Sequence, residues 1–534
     1  MINIIIRQAE EFNLSLPDDM KQLLYLVDQK YKERQAGQVE VEKELRNLIE
    51  DYYERLDRWE CAESRDYSKE ESLRCRIFLA SIFITADWNI YAPQCVTKTT
   101  EIIRTSNLPK ENQLFLYKQI SHLIFVKESL QKQENKVAVW KLFNSIVESY
   151  GREYCSGIYG PIPYEQRNHN LYIVITSQLL VEQHGPTKTA LDRCKVLIED
   201  MGKNVLLINT AECLSWEGFY PFFGYGKGNY LKRLQQEEML EWKGCKVPYF
   251  QCDENMPDPE MLRLLLQKIY EMRPEYIIDI GAQSVVANLC NMFQPVLGIG
   301  LCPSEVEQSC ESIQAVGKKM TQDDYDLINQ VNYDKSGIIE SVFTSGLRAQ
   351  SYTMTKEELG IHDDRFRIII PGQRLDSEIN EEFANLLKRL PADQFAVYFC
   401  GNFETFDKFI KCYSELGKLC YNLGFRDDIF AVYDHMDLFV NPIRRGNGTS
   451  CVEAMSKGIP VVTTRYGDVA INAGDDFIVN DYDQMYIRIM DLYHDTKKRE
   501  KYQLLAKERA AYLQDTTTEL MRILRECRKI EAVK

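Results

Sequence analysis

The first 155 residues have the hydrophobic pattern of α-helices. Apolar side chains recur three and four positions apart, for example at Leu23, Leu24, Leu26 and Val27, and this spacing places them on one helical face. Comparable blocks run over about 39–59, 70–85, 94–105, 110–130 and 137–150. Because no fixed repeat period links the blocks, the pattern predicts an all-helical domain over residues 1–155 and not a solenoid.

After a loop rich in Gly, Pro and Tyr, short apolar runs of strand length alternate with helical blocks. The predicted strands are 171–176, 204–209, 247–252, 276–280, 294–300, 366–370, 395–400, 437–441 and 458–464. Such alternation predicts βαβ units and parallel sheets. The predicted fold class is therefore α/β, with two Rossmann-like doubly wound domains over 165–345 and 346–500 that face a cleft. A helical stretch over 501–534 is expected to follow them.

Composition narrows the class of protein. The 534 residues include 65 Lys+Arg and 80 Asp+Glu, a net charge of −15, which argues against a nucleic-acid partner because such binding needs a basic surface. No apolar run reaches the roughly 20 residues of a transmembrane helix. The 16 cysteines are scattered without a CxxC pair, so reduced thiols and a cytoplasmic location are expected.

The segment with the clearest chemistry is Asn441–Asp468, which reads NPIRRGNGTSCVEAMSKGIPVVTTRYGD. A predicted strand ends, a loop of small residues follows, and a helix begins near Gly448. Free N–H groups and the positive end of the helix dipole make such a helix start a site for a phosphate group. Arg444 and Arg445 are expected to add charge-assisted hydrogen bonds, and Glu453, one turn into the helix, to accept hydrogen bonds from ribose hydroxyls.

Together with Gly372-Gln373-Arg374-Leu375 and Tyr398-Phe399-Cys400-Gly401, each after a predicted strand, this segment resembles the donor half of GT-B glycosyltransferases. The resemblance covers about 170–500. It implies that a nucleotide sugar, with a UDP-sugar as the expected donor, binds as substrate and that no cofactor is required. The residues implied in donor binding are Arg374, Gly401, Asn402, Arg444, Arg445, Asn447, Gly448, Thr449, Ser450 and Glu453.

Two positions depart from the large retaining family of these enzymes. Eight residues before Glu453 that family has glutamate, where this chain has Arg445, and five residues after Arg374 it usually has lysine, where this chain has Ile379. The Gly-Thr-Ser run is closer to O-GlcNAc transferases and to cytoplasmic enzymes that glycosylate bacterial adhesins. Those adhesin enzymes also carry a helical domain ahead of the GT-B part.

The same enzymes have a histidine loop after the first strand of the first sheet domain. The corresponding loop here is Gln183–Lys188, with Gly185 as one extra residue between His184 and Pro186. The resemblance implies that His184 is catalytic, either as a general base for the acceptor hydroxyl or as a contact to the diphosphate.

Two other features leave alternatives open or favour a structural interpretation. The aromatic and glycine-rich loop Trp216–Tyr230 is either a lid on the acceptor side or a packing segment. Asp324-Tyr325-Asp326 and Asp481-Tyr482-Asp483 are typical of helix starts. We therefore expect no metal site.

The resemblance thus implies a metal-independent glycosyltransferase that transfers a sugar to a protein acceptor, such as a bacterial surface protein. The alternatives are a transferase for cell-surface polysaccharide or lipid-linked glycan, and a non-catalytic GT-B subunit that supports an active partner. A partner subunit or a homo-oligomer is compatible with each. The identity of the sugar, the anomeric outcome and the acceptor stay open.

Overall fold

The computed structural model describes residues 2–11, 13–35, 42–58, 69–85, 92–181, 184–212, 230–253, 256–361 and 364–533. Most of the aromatic loop, residues 216–229, and Gln183 of the histidine loop lie outside the described residues. Among the residues described, no helix combines the length and the hydrophobicity that a membrane span requires.

Helices make up the amino-terminal region, as the sequence predicts. They are α1 (Ile2–Glu11), α2 (Asp18–Gln35), α3 (Glu42–Arg58), α4 (Lys69–Thr85), α5 (Ala92–Thr105), α6 (Lys110–Val126) and α7 (Gln133–Tyr154). The long helix α7 buries Trp140, Phe143 and Tyr150 completely. The Trp140 indole donates to the backbone oxygen of Ser309 at 2.9 Å. Because this contact joins α7 to a loop of the first sheet domain, the helical region packs directly on that domain.

An eight-stranded sheet forms the first sheet domain. Its strands are β1 (Asn168–Thr176), β2 (Asn204–Asn209), β3 (Met239–Trp242), β4 (Cys245–Gln251), β5 (Pro274–Ile280), β6 (Val296–Ile299), β7 (Ile313–Val316) and β8 (Ile338–Glu340). Their order is β3-β4-β2-β1-β5-β6-β7-β8, parallel except for the β3–β4 pair. The helices of this domain are α8 (Gly185–Lys195), α9 (Pro259–Met272), α10 (Val285–Cys290) and α11 (Gln322–Gln330). The strand order reverses between β1 and β5, and ligands of such sheets bind at this point.

A six-stranded parallel sheet forms the second sheet domain. Its strands are β9 (Phe366–Gly372), β10 (Phe395–Gly401), β11 (Cys420–Gly424), β12 (Leu438–Val440), β13 (Val461–Thr464) and β14 (Ile478–Val479), in the order β11-β10-β9-β12-β13-β14. The helices between them are α12 (Leu375–Glu378), α13 (Glu381–Lys388), α14 (Phe406–Cys412), α15 (Ile429–Tyr433), α16 (Gly448–Ser456) and α17 (Gly467–Ala473). The order reverses between β9 and β12. The predicted α/β class with two doubly wound sheets after a helical region is confirmed.

Short breaks divide two helical stretches of the second half of the chain. The block from Asp376 to Leu390 forms α12 and α13, because Ile379 is extended and the Asn380 side chain accepts from the Phe383 N–H at 2.9 Å as a new helix cap. The last stretch, predicted as helical over 501–534, also forms two helices.

The carboxyl-terminal helices are α18 (Tyr482–His494), α19 (Thr496–Gln514) and α20 (Thr516–Val533). The break between the last two lies at Asp515, whose carboxylate accepts from the Thr518 N–H at 3.0 Å. Helix α19 packs on α16 of the second sheet domain. Helix α20 returns to the first sheet domain, where Leu520 and Leu524 join the core beneath β1. The chain end therefore ties the two sheet domains together.

Candidate functional site

The junction between β12 and α16 presents an open helix start to the cleft. Asn447 adopts a left-handed conformation, with φ of 78°, and α16 begins at the next residue, Gly448. A Cβ on Gly448 would lie 2.7 Å from Asn472 Nδ2 and 3.1 Å from the Cβ of Asp468. Glycine is therefore the residue that this close approach of two helices accommodates. Thr449 and Ser450 follow in the first turn, both partly exposed.

A hydrogen-bond donor without a partner lies beside this helix start. Asn472, on α17, is 1% exposed, and its Nδ2 has no hydrogen-bond partner in the described structure. Buried polar groups in proteins are nearly always hydrogen-bonded. An unused amide donor next to the first turn of α16, where backbone N–H groups are also free, is the arrangement of an anion site.

Glu453 lies one turn into α16 and faces the first sheet domain. Its residue is 5% exposed, and its Oε1 accepts from Lys188 Nζ of α8 at 3.0 Å. Side chains on a helix lean toward the amino terminus, so this carboxylate is directed toward the open helix start. The pair joins the two sheet domains across the cleft.

Arg374 and Arg444 share one carboxylate. Arg374 Nη2 lies 3.1 Å from Glu378 Oε1, and Arg444 Nη1 lies 2.8 Å from Glu378 Oε2. Arg444 is buried and also donates to the backbone oxygen of Pro371 at 2.7 Å and to Asn441 Oδ1 at 2.8 Å. Burial lowers the pKa of its guanidinium. Arg444 therefore braces the loops after β9 and β12, while Arg374 keeps 43% of its side chain exposed.

Arg445 bonds to the first sheet domain. It forms an ion pair with Glu305, which lies in the loop after β6. Its guanidinium also lies 4.7 Å from the ring centroid of Phe125 on α6, and that of Arg374 lies 5.5 Å from the same ring. Cations are attracted to aromatic faces at such distances. A single side chain of the helical region therefore contacts two arginines of the second sheet domain.

Gly401 and Asn402 shape the loop after β10. Gly401 has φ of 132°, and a Cβ there would lie 1.9 Å from the backbone oxygen of Gly372. The Asn402 N–H donates to that same oxygen at 2.9 Å. These contacts hold the Gly372 turn, and a Cβ on Gly372 would lie 2.6 Å from Arg444 Nη1. The two residues thus shape the turn at 372–374, against which the Arg444 guanidinium packs.

The histidine loop lies against the start of α16. His184 occupies the N-cap position of α8, and its Nδ1 lies 3.1 Å from Thr187 Oγ1. A Cβ on Gly185 would lie 4.0 Å from Thr449 Oγ1, so the two loops are in contact. Burial, and then the charge of Lys188, lower the pKa of His184 to about 4. The imidazole is therefore neutral near pH 7, as a general base or a neutral donor requires.

A cavity of about 330 Å³ opens beside these loops. Its walls are the carboxyl ends of β1 and β5, helix α6 with His122 and Phe125, and Arg445 of the second sheet domain. The Glu307 carboxylate also lines it and accepts from the N–H groups of Leu301 and Cys302 at 3.1 and 3.3 Å. Burial raises the pKa of Glu307 to about 7. The cavity therefore takes its lining from all three regions of the molecule.

A larger groove, of about 1310 Å³, runs along the outer side of the cleft. The segment Glu128–Lys132 between α6 and α7, the Lys318-Lys319 turn after β7 and the Arg465-Tyr466 loop after β13 line it. Arg445 lines both spaces. The groove lies next to the smaller cavity, because Lys136, Glu305 and Arg445 line both.

The two Asp-x-Asp patterns have structural roles, as the sequence predicts. Asp324 completes a capping box with Thr321 at the start of α11, and Asp481 caps α18 through the Gln484 N–H. Within the described ranges, no group of three or more His, Cys, Asp or Glu side chains is arranged to hold a metal ion.

Residues 377–495 match the family model described as Glycosyl transferases group 1, and this range includes the β12–α16 junction. The structure is similar over its whole length to an O-GlcNAc transferase variant from Thermobaculum terrenum, with a TM-score of 0.50, 12% identity, and coverage of 97% of this chain and 100% of that one. The chain has the GT-B fold. Its resemblance to GT-B glycosyltransferases, predicted from the sequence, is confirmed.

Two other similar structures cover a smaller share of this GT-B chain. A glycosyltransferase from Rickettsia africae aligns with a TM-score of 0.48 and 13% identity over 68% of this chain and 99% of that one. Anabaena HepE, determined with UDP and glucose, aligns with a TM-score of 0.46 and 16% identity over 67% and 99%. No curated protein matches the sequence significantly.

Sequence reasoning missed three residues of the GT-B cleft. Lys188 follows His184 by one helical turn, so its helix position was the one available signal. No local sequence signal marks Phe125 or Asn472. Phe125 contacts Arg445 and Asn472 lies beside Gly448, and both neighbours are distant in the chain.

Proposed function

We propose that the chain is a glycosyltransferase that uses a nucleotide-sugar donor, with a UDP-sugar as the expected substrate. The observation that carries the proposal is the open start of α16, with the unused Asn472 amide beside it and Glu453 one turn behind, inside the segment that matches the glycosyltransferase family model. In this proposal the diphosphate binds at Gly448, Thr449 and Ser450, and Glu453 binds the ribose.

The arginines have separate roles in the proposal. Arg374 is the exposed cation that faces the diphosphate, while Arg444, together with Gly401, Asn402 and Asn447, holds the loops in place. As the bond to the sugar breaks, negative charge grows on the leaving diphosphate. Preorganised N–H groups and cations stabilise that charge in a site with little water. No metal ion is needed for this step, so we propose a metal-independent enzyme.

His184 is the proposed catalytic residue. Its Nδ1 contacts Thr187 Oγ1, which also accepts from the Leu180 N–H at 2.8 Å. If Nδ1 carries the proton, Nε2 is free to take one from an acceptor hydroxyl. If the Thr187 hydroxyl donates to Nδ1, Nε2–H donates to a donor-sugar or phosphate oxygen instead. Both roles require the imidazole to be neutral, in agreement with its lowered pKa.

The proposed acceptor is a protein. The groove of about 1310 Å³ supports this, because it borders the cavity at the cleft and takes one wall from the helical region. An acceptor glycan of a polysaccharide or lipid-linked type is the alternative. We propose a cytoplasmic site of action, supported by the fourteen described cysteines, all of which are free thiols.

A second candidate, a non-catalytic subunit, has one specific observation in its favour. Arg445 occupies the position at which the related retaining enzymes have glutamate, and its guanidinium forms an ion pair with Glu305. Such a subunit would keep nucleotide binding but lose turnover, so the two candidates differ in a single measurement of turnover.

Calorimetric titration with UDP-, GDP- and dTDP-sugars tests donor binding. We expect one nucleotide class to bind, and Glu453→Ala to weaken that binding by about 1–3 kcal/mol, the range for losing a hydrogen bond to a charged partner. Glu415→Ala, at an exposed position whose carboxylate pairs with Lys388, is the matched control. Unchanged affinity in a folded Glu453→Ala variant would refute the assignment of this site.

A further inference from the structure

Lys188 is a buried cation in an electrostatically unfavourable place. It lies in the first turn of α8, and its N–H donates to the His184 backbone oxygen as the first helical hydrogen bond. The amino end of a helix carries a partial positive charge, which disfavours a lysine there. The residue is nonetheless only 9% exposed. Burial of a charge in such a position requires an anion close by.

The anion in the structure is Glu453, at 3.0 Å from Lys188 Nζ. That carboxylate belongs to the second sheet domain, so the two domains meet through this pair. The nearby Asp468 carboxylate is directed elsewhere, since it accepts from the Ser304 hydroxyl at 2.6 Å. One carboxylate therefore faces Lys188 where two helices begin.

Those two helix starts lie close together. A Cβ on Gly185 would lie 4.0 Å from Thr449 Oγ1, so the first turns of α8 and α16 are neighbours. Each contributes free N–H groups and a positive dipole end. The Asn472 amide, buried and without a partner, adds one more donor beside Gly448. The space between the helices thus contains more positive charge and more hydrogen-bond donors than Glu453 alone satisfies.

We propose that Lys188 is a donor-binding residue supplied by the first sheet domain, and that it contacts the diphosphate of the nucleotide sugar between the starts of α8 and α16. The inference rests on the proposed function and adds residues to its site, with Asn472 as the neutral donor on the opposite side. In the ligand-free chain, Glu453 holds the ammonium group in place. When the nucleotide binds, the phosphate takes over the ammonium group and Glu453 turns to the ribose.

The consequence is a site that needs both sheet domains. A nucleoside without phosphates would contact Glu453 but not Lys188. A nucleoside diphosphate would contact both residues, so removing the charge at position 188 should weaken binding of the diphosphate more than binding of the nucleoside. This separation distinguishes direct contact from an indirect effect through Glu453.

The test is calorimetry on the full chain with UDP and uridine, with the guanosine and thymidine pairs measured in parallel. Lys188→Met keeps the length of the side chain and removes its charge. We expect it to weaken diphosphate binding about 10- to 100-fold, the equivalent of one charge-assisted hydrogen bond, and to leave nucleoside binding within about threefold. Lys195→Met is the matched control, because Lys195 lies on the same helix and pairs with Glu199, one turn further along the chain.

Three results overturn the inference: unchanged diphosphate affinity, tighter diphosphate binding, and equal losses of affinity for nucleoside and diphosphate. Tighter diphosphate binding would show that the Lys188–Glu453 pair only joins the two domains. If Lys188→Met does not fold, Lys188→Gln takes its place, since it keeps a hydrogen bond to Glu453 without the charge. Failure of the wild-type chain to bind any of the three diphosphates would instead refute the proposed function itself.

Discussion

Two helices begin at the cleft, one in each sheet domain, and they present different chemistry to it. Helix α16 begins with Gly448, Thr449 and Ser450, which carry no charge and leave the backbone N–H groups accessible. Helix α8 begins with Gly185 and Pro186 under a histidine N-cap, and carries a lysine within the first turn. Both follow a strand next to the point where the order of its sheet reverses.

The difference indicates a division of labour. In the proposed function, the second sheet domain binds an anion through the backbone at the start of α16, and the first supplies the side chains of His184 and Lys188. Separate regions can then open to admit a ligand and close to complete the site. The comparison predicts different sensitivities to substitution at the two helix starts.

The largest effect is expected at His184. His184→Ala should lower turnover by about 10²–10⁴-fold if the imidazole is a general base, and less if it only contacts phosphate. Donor affinity and melting temperature should change little, because a half-buried loop side chain leaves no core cavity. Steady-state kinetics with calorimetry and thermal unfolding measures all three.

A variant with full turnover would remove His184 from the mechanism. A loss of turnover that follows the loss of melting temperature would show that the ring only packs in its loop.

A smaller effect is expected from substitutions at the glycines that begin the two helices, Gly448 and Gly185. Gly448→Ala places a Cβ 2.7 Å from Asn472 Nδ2, whereas Gly185→Ala places one 4.0 Å from Thr449 Oγ1. The first distance is a clash and the second an ordinary contact. We therefore expect Gly448→Ala to weaken donor binding roughly 10-fold or more, since a cost of about 1.4 kcal/mol is tenfold, and Gly185→Ala to have less than about a threefold effect. Equal effects in calorimetry would contradict the proposed division.

The smallest effect concerns the pH dependence of stability that comes from buried acids in the first sheet domain. Asp279 and Glu311 are buried in the first sheet domain. Burial raises the pKa of Asp279 to about 7, and burial together with the charge of Asp279 raises the pKa of Glu311 well above its usual range. An acid with a raised pKa stabilises the fold most below its unfolded pKa, near 4, and this stabilisation is lost as the pH rises through the folded value.

The melting temperature should accordingly fall by a few degrees from pH 5.5 to pH 8. Asp279→Asn should flatten this slope, because it removes the titrating group while keeping the size of the side chain. A melting temperature that stays constant or rises over this range in the wild-type chain would show that the acids are not protonated in the fold.

Much of the fold and part of the site follow from the sequence. The helical spacing predicts α4, α5 and α6 to within a few residues, and the glycine and small hydroxyl run predicts the start of α16 at Gly448. Local signals carry this information because dihedral preference and amphipathic spacing are properties of a few neighbouring residues. The division at Asp515 also has a local signal, a helix-capping residue followed by threonines.

The cleft contacts could not be predicted in this way. Lys188 and Glu453 are 265 residues apart in the chain, and Phe125 reaches Arg445 from another region entirely. Neither pair leaves a local pattern, since each depends on how three regions pack. Likewise, no local pattern predicts that the Arg444 guanidinium bonds to Glu378 and to the backbone oxygen of Pro371.

The central claim is that this cleft transfers sugar from a nucleotide donor without a metal ion. The most direct test is to follow nucleoside diphosphate release from a panel of UDP-, GDP- and dTDP-sugars in the presence of EDTA. The account predicts steady release from one donor class, with the same rate with and without the chelator and loss of that rate in His184→Ala. Binding of a donor without any release, or release that EDTA abolishes and manganese restores, would contradict it.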